Sequence, residues 1–312
     1  MRTHSRIKPS IFALFAVATC AATLLGGCGQ DFDPPSLISK TRVLGAEVRV
    51  DGDPSRATPQ PAETATVTFI VVAPEQVPSL GWAFLVCQAD QATNPASCAA
   101  APLASFQGTG TPQLRIAVPA AEALGNTSRL TVVGQICDDG LPAIDPQTGL
   151  PACGGAGTMV TVDVHLDRTG TPNRNPDLAA RPLWIDGIAW SPDDVALDCA
   201  SLPTVVAGSK EHVLRLATLA EDRETVVTPA ADPANPTTTT REMLQISSFD
   251  TAGKLGQSYA LVPSEDTSPE SDVEIKWDAP EVPPADGRVR FYFVARDLRG
   301  GVGLATRTVC VQ

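Results

Sequence analysis

The chain has 312 residues, with 23 Lys+Arg against 35 Asp+Glu, a net charge of −12, 28 prolines, 24 glycines and eight cysteines. A chain of this length buries one or two ordinary cores. Its acidity repels phosphate backbones and anionic headgroups, which argues against nucleic acid and against a polybasic membrane contact and leaves proteins, sugars or cations as partners.

Arg2, Arg6 and Lys8 precede an apolar run from Ile11 to Leu25. That run is shorter than the roughly 20 residues a spanning helix needs and has the pattern of an export signal. At its end, Leu25-Gly26-Gly27-Cys28 resembles the lipobox of bacterial lipoproteins, in which the chain is cut before the cysteine and the thiol is acylated. The resemblance implies a lipoprotein signal peptide over residues 1–27 and a membrane anchor on Cys28. Several acyl chains, each contributing about 0.8 kcal/mol per buried CH2, make such an anchor lasting. In well-studied lipoproteins an Asp after the cysteine marks inner-membrane retention. Gly29 stands here instead, which by analogy implies the outer membrane. Removal of the leader takes three cations with it, so the mature chain is more acidic still.

Residues 28–40 mix prolines and polar groups without a period and read as a lipidated tether. Alternation then begins, and strands are expected over 41–50, 65–72, 81–87, 113–118, 129–137 and 158–167, with one helical turn within 119–125. In the last of these strands Val160, Val162 and Val164 face one way and His165 the other. Residues 169–182 break every periodicity and read as a linker between two β-domains, 41–168 and 183–312. The second half restarts with strands over 183–190, 211–219, 242–249, 258–262, 272–277, 288–297 and 302–311. Residues 228–240, with four consecutive threonines, read as a polar, poorly packing loop. The 288–297 strand is apolar on both faces, as a central sandwich strand should be.

Cys20 falls in the leader and Cys28 carries the lipid, leaving Cys87, Cys98, Cys137, Cys153, Cys199 and Cys310. An even count in an exported chain reads as disulfides, and six cysteines allow 15 connectivities. The short loops bracketed by Cys87/Cys98 and by Cys137/Cys153 favour sequential pairing, with Cys199 and Cys310 closing the second half; other pairings stay open. No C-x-x-C spacing or nearby histidine suggests zinc.

Little points to chemistry. His165 and His212 read as surface histidines, and no H-E-x-x-H, G-x-S-x-G, P-loop or complete dinucleotide fingerprint occurs. Asp138-Asp139, Asp193-Asp194 and Glu265-Asp266 sit among turn residues, where solvated charge is the plain explanation. A hydrolase using carboxylates would need two of them about 5–10 Å apart in a cleft. Asp138, Asp139 and Asp145 share one loop and form a weak calcium candidate without EF-hand spacing. Trp82, Trp184, Trp190 and Trp277 read as core rather than as a sugar platform. Neither a metal nor a cofactor is expected.

Asp33-Pro34-Pro35-Ser36-Leu37 leading to Arg42-Val43-Leu44, Trp277-Asp278-Ala279-Pro280, and Arg296-Asp297 with Gly300-Gly301 before a last strand are together similar to the tandem immunoglobulin-like or cadherin-like modules of surface lipoproteins of deltaproteobacteria, including myxobacteria. The resemblance implies an all-β chain of two tandem immunoglobulin-like antiparallel β-sandwiches at the cell surface. It departs at 243–249, where a core tryptophan would be expected and Ser247-Ser248-Phe249 stands. The reading is a non-enzymatic, lipid-anchored envelope protein presenting sandwich loops to a protein or glycan. The alternatives are a structural lipoprotein subunit of an envelope assembly and, behind both, a carboxylate-dependent surface hydrolase.

Overall fold

The computed structural model describes residues 33–89, 98, 100–144, 151–192, 198–228 and 238–312. In the first half the strands are β1 (Arg42–Val50), β2 (Thr64–Val72), β3 (Gly81–Gln88), β4 (Ala104–Thr109), β5 (Gln113–Ala117), β6 (Arg129–Cys137), β7 (Ala143–Ile144), β8 (Pro151–Ala152) and β9 (Gly157–His165), with one helical turn, α1 (Ala121–Leu124), before β6. The second half has β10 (Leu183–Ile185), β11 (Ile188–Trp190), β12 (Thr204–Val205), β13 (His212–Leu219), β14 (Thr225–Thr228), β15 (Thr238–Arg241), β16 (Leu244–Asp250), β17 (Lys254–Leu255), β18 (Tyr259–Val262), β19 (Glu270–Asp278), β20 (Arg288–Arg296) and β21 (Val302–Val311). The fold is all-β, and among the described residues every strand pair is antiparallel except β12 with β21.

Period-2 alternation dictates how these strands layer. A three-stranded sheet, β1-β2-β5, faces a four-stranded sheet, β4-β3-β6-β9. Ala46, Val48, Val67, Phe69, Phe84, Leu114, Val132 and Val164 interdigitate between them, and Phe69 stacks on Phe84 with ring centroids 4.5 Å apart. The second sandwich closes β11-β10-β13-β19-β17 on β12-β21-β20-β16-β18. Its core centres on Phe291, which meets Trp190 and Trp277 edge-on at 5.2 and 5.0 Å, a favoured geometry for ring quadrupoles. The tryptophan expected on the 243–249 strand comes instead from the opposite sheet: Trp277 of β19 reaches across and donates its indole N–H to Asp250 of β16.

A third apolar cluster joins the sandwiches face to face. Leu44, Ile70 and Val72, on the outer face of the β1-β2-β5 sheet, pack with Val294 and Val302, on the outer face of β20 and β21, and with Ile38. This is why β20 is apolar on both faces: Val289, Phe291, Phe293 and Ala295 point into one core and Val294 into another. Pro35–Gln312 is accordingly one compact unit of four stacked sheets. Arg296 extends the contact by donating to the carbonyl of Leu44.

Four expectations change. The 183–190 stretch is two strands, because Asp186-Gly187 makes a two-residue hairpin turn with both residues left-handed (φ 51° and 78°), the geometry that Asp-Gly favours. The ends of the threonine-rich loop are paired as β14 and β15, since β-branched threonine suits a strand. The end of the expected tether is not free. Ser36 O accepts from Asp250 N, Ile38 N donates to Asp250 O at 2.7 Å, and Ile38 is fully buried. The expected linker joins the two sandwiches as a fixed strap. Asn175 bonds Val48 O and Val302 N, one from each sandwich, and Leu178 lies inside the second core.

Candidate functional site

The lipobox residues Leu25, Gly26, Gly27 and Cys28 lie outside the described residues, as do Asp145, Asp193 and Asp194. The six remaining cysteines form Cys87–Cys98, Cys137–Cys153 and Cys199–Cys310. Asp138 and Asp139 follow Cys137, and among the described residues no three His, Cys, Asp or Glu side chains stand together as a metal site. Trp82, Trp190 and Trp277 are buried, and Trp190 donates its indole N–H to Thr308 O. Trp184 is half-buried on an outer sheet face, with the Arg215 guanidinium 3.9 Å over its ring. Asp266 accepts from Ser271 Oγ and Ser268 N, which hold its carboxyl down at about 2; it organises a turn.

The acids that do gather lie in the seam between the sandwiches. Arg299, in the β20–β21 turn, donates to Asn173 Oδ1 at 2.6 Å, to Glu224 Oε2 at 2.7 Å and to Glu242 Oε1. Burial, helped by the charge of Asp297, pushes the Glu242 carboxyl up to about 7, and burial also raises Asp297 and Glu224. One guanidinium serves two carboxyls and an amide oxygen, while the backbone N–H of the same residue donates to Asp297. These acids are bridged by Arg299 and by the strap, so the arrangement holds the sheets together.

A second polar constellation sits at the far tip of the second sandwich, built by three loops. The Asp186-Gly187 turn continues the β10–β13 ladder: Asp186 N donates to Val213 O, and Asp186 Oδ1 accepts from Val213 N, both at 2.9 Å. That fixes the carboxylate beside His212, the first residue of β13, and Asp186 Oδ2 lies 2.7 Å from His212 Nδ1. On the other side of the ring, His212 Nε2 lies 2.7 Å from Ser209 Oγ. The serine loop is fixed in turn: Ser209 N donates to Val206 O, Ala279 N to Ser209 O, and left-handed Gly208 to Pro280 O.

A Ser–His–Asp chain with both contacts at hydrogen-bond distance is the arrangement that activates a serine on unrelated folds. Proton bookkeeping separates two states of it. Ser209 Oγ also touches the carbonyl of Val206, which can only accept. With the hydroxyl hydrogen turned there, both ring nitrogens of His212 must donate, to Ser209 and to Asp186, and the serine rests. With the hydroxyl turned to Nε2, the ring is neutral, Nδ1–H still donates to Asp186, and Ser209 is set against a base. Rotation of one hydroxyl and loss of one proton separate the two states.

Exposed aliphatic side chains and ion pairs both surround the Ser–His–Asp chain. Ile188 beside the Asp186 turn, Val206 beside Ser209 and Val282 on the facing loop are 65, 70 and 77% exposed. Ile188 also lines a groove of about 280 Å³ with Ala189, Ser191 and residues 200–203, whose lining includes none of Ser209, His212 and Asp186. Lys210 is paired with Glu281 across the tip at 3.0 Å. The sequence reading treats His212 as an isolated surface histidine and overlooks Ser209 and Asp186. The available signals are the Asp-Gly dipeptide inside an apolar run and a serine three residues before a histidine. No family model matches the chain, and no curated protein matches it.

Proposed function

We propose that this chain is a lipid-anchored protein of the cell envelope, held through Cys28, whose fused sandwiches display loops to a protein or glycan partner. The observation that supports this most is the way the N-terminal segment is built in. Ile38 is fully buried in the cluster between the two sandwiches, and residues 36–38 are hydrogen-bonded to Asp250. A pull on that end is therefore carried by both sandwiches at once, as a display module on an anchor requires. Three disulfides fit an exported chain, and Gly29 leans the placement toward the outer membrane. The test has two arms. Metabolic labelling with an alkyne fatty acid should mark the wild type and spare Cys28→Ser. Affinity capture from envelope extracts and a glycan array should together return one specific partner. An unlabelled wild type retaining residues 1–27 overturns the anchor, and a blank result in both binding screens overturns the display role.

A second reading, a subunit bracing an envelope assembly, has one observation in its favour. The edge strand β18 exposes Tyr259 and Leu261 at 60 and 50% beside unpaired backbone, the feature an added strand from an obligate partner would cover. Deletion of the gene should then destabilise that assembly.

A further inference from the structure

We propose that Ser209, His212 and Asp186 form a hydrolytic site for small carboxylic esters with an apolar acyl group, an activity independent of the anchor and of the display role. Both links of the chain are 2.7 Å long. The carboxylate is held by the backbone of the residue after the histidine, so the ring has one orientation. The three most exposed large aliphatic side chains among the described residues, Val282, Val206 and Ile188, lie on the loops that carry or face Ser209 and Asp186. Exposed apolar residues concentrated around a polar centre mark a binding surface.

The chemistry follows from the state in which the hydroxyl faces the ring. Ser209 Oγ attacks the ester carbonyl carbon while its proton passes to His212 Nε2. The Oγ–C bond forms as the ester C–O bond breaks, and His212 returns the proton to the departing alkoxide, leaving an acyl-serine and an alcohol. Water then attacks the acyl carbon, giving its proton to His212. Oγ departs and takes the proton back, and the carboxylic acid is released. Asp186 is a positioning residue: anchored to the backbone of Val213, it reaches the reacting groups only through the ring and holds Nδ1–H in place.

One part of a fast esterase is missing. The backbone N–H groups of Gly208 and Ser209 are committed to Pro280 and Val206, so neither is free to meet charge developing on the acyl oxygen, and the ammonium of the neighbouring Lys210 is paired with Glu281. Loss of one oxyanion-hole donor costs about 10²- to 10³-fold in a serine hydrolase. Slow turnover of activated esters is therefore the expectation.

The experiment uses the full exported chain with two probes, a fluorophosphonate and p-nitrophenyl butyrate. The fluorophosphonate should modify Ser209, located by peptide mass, and Ser209→Ala should abolish both labelling and ester turnover while melting at the wild-type temperature. Asp186→Asn should lower kcat by about a hundredfold or more at unchanged KM, a split that general loosening of the tip would not give. Wild type labelled no faster than Ser209→Ala, or labelled on another serine, overturns the proposal, as does turnover that survives Ser209→Ala.

Discussion

Asn173 donates its side-chain amide to Asp297 at 2.8 Å, and neither residue is more than 3% exposed. The two stand 124 positions apart, one in the strap and one in the last hairpin of the second sandwich. Around them, Asn173 N donates to Thr58 Oγ1 of the first sandwich, and Arg299 donates to Asn173 Oδ1. This one buried residue thus meets the first sandwich through its backbone N–H and the last hairpin through its side-chain amide.

Truncating it should show this. Asn173→Ala leaves the buried Asp297 carboxylate one donor short and removes one acceptor of the partly exposed Arg299. Unsatisfied buried groups cost about 1–3 kcal/mol each, more when charged. A loss of about 2–4 kcal/mol is expected in chemical denaturation. Because the lost contact couples the sandwiches, the single transition should also broaden or split. A loss under about 0.5 kcal/mol with one sharp transition would remove the seam's claim to couple them.

A second expectation concerns pH. Asp250 is 1% exposed, and burial pushes its carboxyl up to about 7 against an ordinary 3.8, although Trp277 donates to it. Glu242 behaves alike, also reaching about 7. Both groups hold their protons more tightly in the folded chain than in the unfolded one. Their contribution to stability is therefore complete below about pH 4, declines as pH rises, and is gone above about pH 7. Asp250→Asn keeps the acceptor for Trp277 and removes the ionisation. Stability measured at pH 5 and pH 8 should fall steeply in the wild type and less steeply in this variant, with the variant the more stable at pH 8. Parallel slopes would mean that Asp250 is ionised in both states.

The Cys199–Cys310 bond should be the most stabilising of the three. It spans 111 residues against 11 for Cys87–Cys98. Chain-entropy estimates give about 4.7 kcal/mol for a loop near 100 residues and about 3 for one near 15. It also ties the segment before β12 to the buried final strand. Replacing both Cys199 and Cys310 by Ala should lower stability by about 4–5 kcal/mol, and the same change at Cys87 and Cys98 by less than about 3. The ranking is read from denaturant midpoints at equal slope.

The sequence reveals strands wherever alternation is local, as at Val160, Val162 and Val164, and it reveals the disulfides because two loops are short and polar. It misses what depends on distance or on one turn. The seam joins Asn175 to Val302, 127 positions away, and Arg296 to Leu44, 252 away; no spacing rule reaches that far. The tip hangs on Asp186-Gly187, whose apolar neighbours mask a hairpin as a single strand. Only the turn brings Asp186 back beside His212, 26 residues later. Threonine runs mislead in the other direction, since a composition that signals a loose loop also suits paired β14 and β15.

Gly301 and Gly303 make the last test, because their sequence context suggests ordinary turn glycines while their surroundings give another reason. A Cβ on Gly303 would fall 2.0 Å from the carbonyl oxygen of Pro176, and one on Gly301 would fall 2.5 Å from that of Arg174. The strap's backbone occupies the space side chains would need, so glycine here is set by close approach. At Gly154, by contrast, the nearest neighbour of an added Cβ is Asp139 Oδ2 at 3.5 Å, ordinary contact. Gly303→Ala must push the strap off β21 and should cost about 1–3 kcal/mol, whereas Gly154→Ala should stay within about 0.5. Hydrogen exchange gives the local readout. In Gly303→Ala the amides of Asn173, Asn175 and Leu178 should lose protection before those of β13 or β19, and equal loss across both cores would place the strain elsewhere.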